Sequence, residues 1–351
     1  MNEKFLSLEE YTPGEQPQDK KYIKLNTNES PFPPSPSVLE AINSEEAAKL
    51  CLYSDPESKA LKKAIADYYG FKSENVFVSN GSDEILNFAF MLYGDVKGTL
   101  FPGISYGFYK VFADLYRLDY QQIPLREDFT IDVSDYIGKD KFIVIANPNA
   151  PTGITLSVAE IEKIVSSNSE SVVLIDEAYI DFGGESAMGL VEKYPNLIVC
   201  QTFSKSKSMA GARLGFCFAQ KEIISDLERI KYSTNPYNIN RLTQLAGLKA
   251  MEDMEYYNEK CAVIAKNREY TREKLTEMGF EVLPSRANFL FAKHPSLDGE
   301  RLYLTLKERG ILIRHFTSKR ICQYNRITIG SIEQMEAFIT AVRTILKEND
   351  L

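Results

Sequence analysis

Between residues 40 and 230, short apolar runs recur at strand length, separated by stretches with helical spacing. The runs are Asn75–Val78, Gly98–Phe101, Phe142–Ala146, Val172–Ile175, Leu197–Cys200 and Gly215–Ala219. Those at 142–146 and 172–175 are continuous rather than alternating, as in strands covered on both faces. Strand and helix in alternation predict an α/β fold with a doubly wound, mostly parallel sheet. After Asn235-Pro236-Tyr237-Asn238 the pattern changes. A long helical stretch from Arg241 to Met278 leads into Glu281-Val282-Leu283 and Asn288–Phe291. A helix over Gly299–Arg309, strands at Ile311–Ile313 and Arg326–Ile329, and an amphipathic helix over Ile332–Lys347 follow. The expected division is a large unit over 40–235 and a smaller α/β unit over 236–351. The extended segment 1–39 is expected to pack near their junction.

With 351 residues, 44% of them hydrophobic, the chain can fill both cores. A formal charge of −8 argues against nucleic acid as a bulk partner, since phosphate backbones recruit basic faces. The longest apolar runs are strand-sized, so no membrane span is expected. The stretch from Glu3 to Lys21 is acidic and polar and lacks an apolar signal core. The cysteines Cys51, Cys200, Cys217, Cys261 and Cys322 form no CxxC pair, and Cys200 and Cys217 read as small buried hydrophobes. A reduced, cytoplasmic setting fits. His294 and His315 are the only histidines, and no metal site is expected from them.

Polar residues gather where the predicted strands end, which is where open α/β sheets bind ligands. Ser79-Asn80-Gly81-Ser82-Asp83-Glu84 feeds a helical run, Ile85–Leu92. Such a glycine turn offers backbone N–H groups to a phosphate, or is simply a helix capped by Ser82. Pro102-Gly103-Ile104-Ser105-Tyr106 puts an aromatic ring at the sheet edge, for packing or for stacking on a planar ring. Asn147-Pro148-Asn149-Ala150-Pro151-Thr152-Gly153 can continue neither helix nor strand. Asp176 closes an apolar run, so its carboxylate requires a partner, either a structural arginine or a cationic ligand such as a pyridinium nitrogen. Lys205, just past another apolar run, is either a solvated loop lysine or an amine held for a carbonyl. Arg213, among Ala210, Gly211, Ala212 and Leu214, calls for an anion.

Taken in order, these segments resemble the fold-type I, class I/II pyridoxal-phosphate aminotransferases, and within them the histidinol-phosphate aminotransferase family. The resemblance also runs through Leu25-Asn26-Thr27-Asn28-Glu29-Ser30-Pro31, Tyr53-Ser54-Asp55, Pro236-Tyr237-Asn238, Ala287-Asn288-Phe289, Arg314-His315 and Arg326-Ile327-Thr328. It implies pyridoxal 5'-phosphate as cofactor and Lys205 as the Schiff-base lysine and proton shuttle. Asp176 would pair with the pyridinium nitrogen, Tyr179 would donate to the cofactor 3'-oxygen, and Tyr106 would stack on the ring. The Gly81–Asp83 backbone, Ser82, Thr202, Ser204 and Arg213 would hold the phosphate, and Asn147 is a further candidate for the cofactor. Tyr53 would reach the phosphate in a neighbouring subunit, which implies a homodimer with shared sites. Arg326, Arg314 and Asn26 would take the substrate, the two arginines its anionic group. Surface ion pairing is the plainer reading of both arginines.

Three positions depart from the family pattern. Ala150 stands where the family loop has an asparagine on the 3'-oxygen, so that Asn147 or Asn149 substitutes, or Tyr179 acts alone. Ser30 replaces the Asn or Tyr of close relatives. Ser206-Lys207-Ser208 is more polar than is usual there. The implied reaction passes an amino group from a small phosphorylated amino alcohol or amino acid, above all L-histidinol phosphate, to a 2-oxo acid such as 2-oxoglutarate. A threonine-phosphate decarboxylase-like enzyme, an aromatic aminotransferase and a non-catalytic protein of the same fold are the rival readings.

Overall fold

The computed structural model describes residues 8, 9 and 11–351. Residues 1–7 and 10, part of the polar stretch Glu3–Lys21 and of segment 1–39, lie outside it. Two sheets organise the chain. The larger takes β2 (Val76–Ser79), β3 (Thr99–Pro102), β4 (Tyr120–Ile123), β5 (Phe142–Ala146), β6 (Val173–Asp176), β7 (Leu197–Thr202) and β8 (Gly215–Phe218), in the spatial order β2-β8-β7-β6-β5-β3-β4. Only β8 runs antiparallel to its neighbours, β2 and β7. The smaller takes β1 (Ile23–Leu25), β9 (Glu281–Val282), β10 (Phe289–Lys293), β11 (Ile311–His315) and β12 (Asn325–Thr328), in the order β1-β11-β12-β10-β9.

The continuous apolar runs fold as expected because helices cover both faces of the large sheet. On β5, Ile143 and Ile145 enter one core while Phe142, Val144 and Ala146 enter the other, the period of two that a pleated strand imposes. Four strands extend past their predicted ends, to Ser79, Pro102, Asp176 and Thr202. Asp176 is therefore a ladder residue between Ala146 and Cys200, not a loop residue. That placement fixes the backbone under the functional side chains.

Two strands were not legible. β4 (Tyr-Gln-Gln-Ile) is a half-exposed edge strand without an apolar run, and β1 is three residues long and pairs with β11 from across the chain. The helical stretch 241–278 breaks at Asp253 into Arg241–Glu252 and Met254–Glu277, and the Asp253 carboxylate accepts from Ser37 Oγ at 2.9 Å. Ile239, Ala246, Ala250, Met251, Met254 and Tyr257, which fall in the expected second unit, pack into the core of the large sheet. The core of the smaller sheet gathers Cys261, Ile264 and Leu275 with the residues that follow, and also Leu25.

Candidate active site

The turn at Gly81 shows how closely the backbone is fitted. Gly81 has φ 74° and caps the helix Ser82–Tyr93 without any side-chain cap, so the Ser82 capping alternative does not hold. A Cβ on Gly81 would lie 2.6 Å from Arg213 Nη2, and one on Gly215 would lie 2.4 Å from the Ser82 nitrogen. Strand β8 and the Arg213 guanidinium thus press against an open helix N-terminus, a site suited to an anion. Arg213 donates to Asp83 Oδ2 at 3.0 Å and to Ser204 Oγ at 3.3 Å. Thr202 Oγ1 accepts from the Ser204 nitrogen at 3.1 Å.

Opposite this turn lies Asp176. Its carboxylate accepts from Tyr109 Oη at 2.8 Å and from the Ala178 nitrogen at 3.2 Å, and among the described residues no cation pairs with it. Burial pushes its carboxyl up to about 6, against the pull of those two donors. A buried acid at a pocket wall, without a countercharge, fits a ligand that carries one. Lys205 Nζ stands 5.6 Å from the Tyr179 ring centre and donates to the Thr27 carbonyl at 3.4 Å. Tyr106 donates to Asp83 Oδ1 at 2.9 Å and presents its ring to the same space.

One cleft of about 120 Å³ is lined by Ser82, Asp83, Tyr106, Asp176, Tyr179, Thr202, Ser204, Lys205 and Arg213. It adjoins a wider one of about 440 Å³ that shares Tyr106, Ala150, Tyr179 and Lys205 and adds Tyr11, Asn26, Asn28, Arg314 and Arg326. Arg326 is half-buried, donates through Nη2 to the Asn26 carbonyl at 2.9 Å, and leaves its buried Nε without a partner among the described residues. Burial lowers its pKa, with the neighbouring phenols of Tyr179 and Tyr11 acting the other way. Arg314 donates to the Thr12 and Pro13 carbonyls, each at 3.0 Å.

The sequence profile of the family "Aminotransferase class I and II" matches residues 20–342. The chain belongs to this family. The resemblance read from the sequence, with its fold and enzyme class, an aminotransferase using pyridoxal 5'-phosphate, follows from that membership. The histidinol-phosphate aminotransferase of Brachyspira hyodysenteriae is 49% identical over 349 residues, covering 99% of each chain. The crystal structure of the histidinol-phosphate aminotransferase from Clostridium acetobutylicum superposes with a TM-score of 0.86 at 27% identity, covering 94% of this chain and 100% of that one. The enzyme of the same name from Sinorhizobium meliloti, solved with pyridoxal-5'-phosphate, has a TM-score of 0.85 at 22% identity, covering 94% and 92%, a likeness of fold.

One residue expected at the cofactor, Asn147, lies outside the inner cleft. The Asn147 side chain is spent within its own loop, accepting from the Leu156 nitrogen at 2.8 Å and donating to the Leu156 carbonyl at 3.3 Å, and it does not line the inner cleft. Asn149 is likewise engaged with Ser105, Ile104 and Thr152. Neither replaces the amide that Ala150 lacks. Tyr53 lies outside both clefts of its own chain, 78% exposed and stacked on Tyr237 at 4.4 Å.

Two contributors leave no mark in the sequence pattern, and a third, Lys207, stands out there only by its polarity. Tyr109 reads as a core residue of the helix Phe108–Tyr116, yet its hydroxyl holds Asp176. Tyr11 packs edge-on to Tyr106, in a segment without periodicity. Lys207, from the polar stretch after Lys205, is fully buried and pairs with Asp181 at 2.5 Å; Ser206 donates to the same carboxylate. This pair ties the Lys205 loop to the loop that carries Tyr179.

Proposed function

We propose that the protein transfers the amino group of L-histidinol phosphate to 2-oxoglutarate. The observation behind this reading is the convergence of an unpaired buried carboxylate, a lysine amine and an arginine-backed helix N-terminus in one cleft, with Arg326 in the next. Pyridoxal 5'-phosphate, when bound, supplies the electron sink that lets the donor's Cα–H bond ionise. In this reading Lys205 Nζ would hold the cofactor and would serve as the base for the donor's Cα proton. Asp176 accepts from the ring nitrogen and keeps it protonated. Tyr179 donates to the 3'-oxygen, and the Tyr106 ring packs on the cofactor face. The N–H groups at Ser82 and Asp83, with Thr202, Ser204 and Arg213, hold the phosphate. Arg326, with its free Nε, and Arg314 take the donor's anionic group, and Asn26 orients Arg326 through its carbonyl. The choice of donor rests on the names of relatives close to half identical over nearly the whole chain.

The same reading includes a homodimer in the cytoplasm. Leu50, Leu52, Tyr53 and Tyr237 are each exposed, and the two tyrosine rings stack on one another. The backbone beside Tyr53 is pinned, since Arg241 donates to the Tyr53 carbonyl at 2.9 Å and Ser54 to the Ile239 carbonyl at 2.7 Å. A pinned loop that displays an aromatic ring suits a contribution to the phosphate site of a second copy. Free cysteines throughout accord with a reducing compartment. Among the described residues no helix is long and apolar enough to cross a membrane.

The test is a half-reaction followed by absorbance. Histidinol phosphate converts the cofactor to its amino form, whereas phenylalanine and phosphothreonine do not, and 2-oxoglutarate restores it with release of glutamate. Lys205→Ala abolishes the conversion while melting within a few degrees of wild type. Carbon dioxide release from phosphothreonine, or full conversion by Lys205→Ala, would overturn the assignment.

A further inference from the structure

The amide missing at Ala150 has a counterpart from the other side of the cleft. Asn28, fully buried and held at φ 57°, donates from Nδ2 to Tyr179 Oη at 3.0 Å. The proton arrangement is assigned from the surrounding bonds. The Asn28 backbone N–H can only donate, and it reaches Thr328 Oγ1 at 3.0 Å. The threonine proton is then directed to Asn28 Oδ1, at 2.9 Å. With Oδ1 committed as acceptor, the amide presents its N–H to Tyr179, whose oxygen must accept. Among the described residues the phenol makes no other hydrogen bond, so its own proton remains for an acceptor in the cleft.

We propose that Asn28 is a positioning residue for Tyr179, setting the phenol to donate into the cleft and taking over the part that the amide absent at Ala150 plays elsewhere in the family. The acceptor of that proton is the cofactor 3'-oxygen, a step that rests on the function proposed above. Asn28 also spans two units: Thr328 lies on β12, two residues from Arg326, while Tyr179 follows β6. Consecutive residues of the same segment meet three functional groups, with Asn26 on Arg326, Thr27 on Lys205 and Asn28 on Tyr179. The other ionisable groups acting on the phenol are Lys205, Arg326, Tyr11 and Tyr106, and none is altered by a change at Asn28.

The experiment is a pH titration of the absorbance of the cofactor-loaded protein, with thermal melting as the folding control. A donor to the 3'-oxygen stabilises its anion, so weaker donation lets the proton shared with the Lys205 nitrogen persist to higher pH. Tyr179→Phe serves as the reference and raises the midpoint. Asn28→Asp keeps the shape but turns the donor into an acceptor, and raises the midpoint by about half a pH unit or more. Asn28→Gly tolerates the positive φ, deletes the amide without adding charge, and shifts the midpoint the same way by less. In the Tyr179→Phe background neither change moves the midpoint further, and the KM for the amino donor stays within about twofold while kcat falls. A wild-type midpoint in both Asn28 variants, with Tyr179→Phe still shifted, would overturn the role of Asn28 and leave the proposed function standing. That role is overturned equally if the Asn28 shift persists without the phenol. A wild-type protein that acquires no pH-dependent cofactor absorbance at all would instead bring down the functional reading.

Discussion

The inner and outer clefts hold their charges in opposite ways. In the inner cleft, which Asp83, Lys205 and Arg213 also line, the most deeply buried charge is the Asp176 carboxylate, fixed on a strand ladder, given only neutral donors and paired with no cation among the described residues. In the outer cleft the charged groups are guanidiniums, Arg314 and Arg326, whose partners are the backbone carbonyls of the segment over residues 12–26. That segment is itself tethered, with Glu15 bound by Tyr303 and Lys307 and the Glu15 carbonyl by Asn26. One wall is positioned by the sheet before any ligand arrives. The other is assembled from chain ends that meet over the cleft. The inner wall leaves Asp176 for a cationic ring nitrogen, and the outer wall leaves the Arg326 Nε for an anionic group.

The widest separation between the walls is expected from Asp176→Asn. Loss of the carboxylate reduces kcat by about a thousandfold, because the ring nitrogen is no longer held protonated. Stability moves the other way. The folded carboxyl sits at about 6, above its ordinary 3.8, so the ionised form opposes folding as pH rises through that window. Cofactor-free Asp176→Asn should therefore melt a few degrees above wild type at pH 7.5, an effect of about 1 kcal/mol, and level with it near pH 4. Equal melting shifts at both pH values would show that Asp176 is paired after all.

On the outer wall, Arg326→Gln should raise the KM for an anionic donor about a hundredfold and leave the cofactor absorbance unchanged. Arg314→Gln should act more weakly, about tenfold, because that side chain is more open and already engaged by two carbonyls. If either substitution altered the cofactor spectrum more than substrate affinity, the two clefts would not be separable.

How much of each wall could be read in the sequence follows from the same difference. Asp176, Thr202 and Lys205 close or follow buried apolar runs and Arg213 precedes one, and a polar residue at the end of such a run is conspicuous by contrast. The N-terminal segment has no such contrast. Asn28 meets Tyr179 across 151 residues, and no local pattern announces the contact. Tyr109 was hidden for another reason: its ring satisfies the apolar face of a helix, so its hydroxyl left no trace in the periodicity. The Asn147 side chain is taken up by the backbone of Leu156, nine residues on, a contact that the loop sequence does not announce.

Between the walls stands the Lys207–Asp181 pair, and its two ends differ in burial: the lysine side chain is 1% exposed and the aspartate 28%. Removing the aspartate strands a buried ammonium, whereas removing the lysine leaves a carboxylate that water can reach. Asp181→Asn should then cost about 2 kcal/mol, below the range for fully buried pairs because Asp181 is partly solvated, and Lys207→Met about 1 kcal/mol. The pH dependence separates the two further. Burial raises the Asp181 pKa, but Lys207 and Ser206 outweigh it and hold the carboxyl below its ordinary 3.8. Burial likewise opposes the Lys207 charge, and Asp181 more than restores it, so the lysine stays protonated above its ordinary range. A lowered aspartate contributes stability that is present above pH 3.8 and lost as pH falls through its folded value. A raised lysine contributes stability that is fully present below pH 10.5 and is lost as pH rises through its folded value. Between these limits wild type should keep this increment, and the melting curves of wild type and Asp181→Asn should converge in acid. Because the pair joins the Lys205 loop to the Tyr179 loop, both variants should also lower kcat a few-fold without changing the KM for the donor. Greater destabilisation in Lys207→Met than in Asp181→Asn would place the buried charge on the wrong side of the pair.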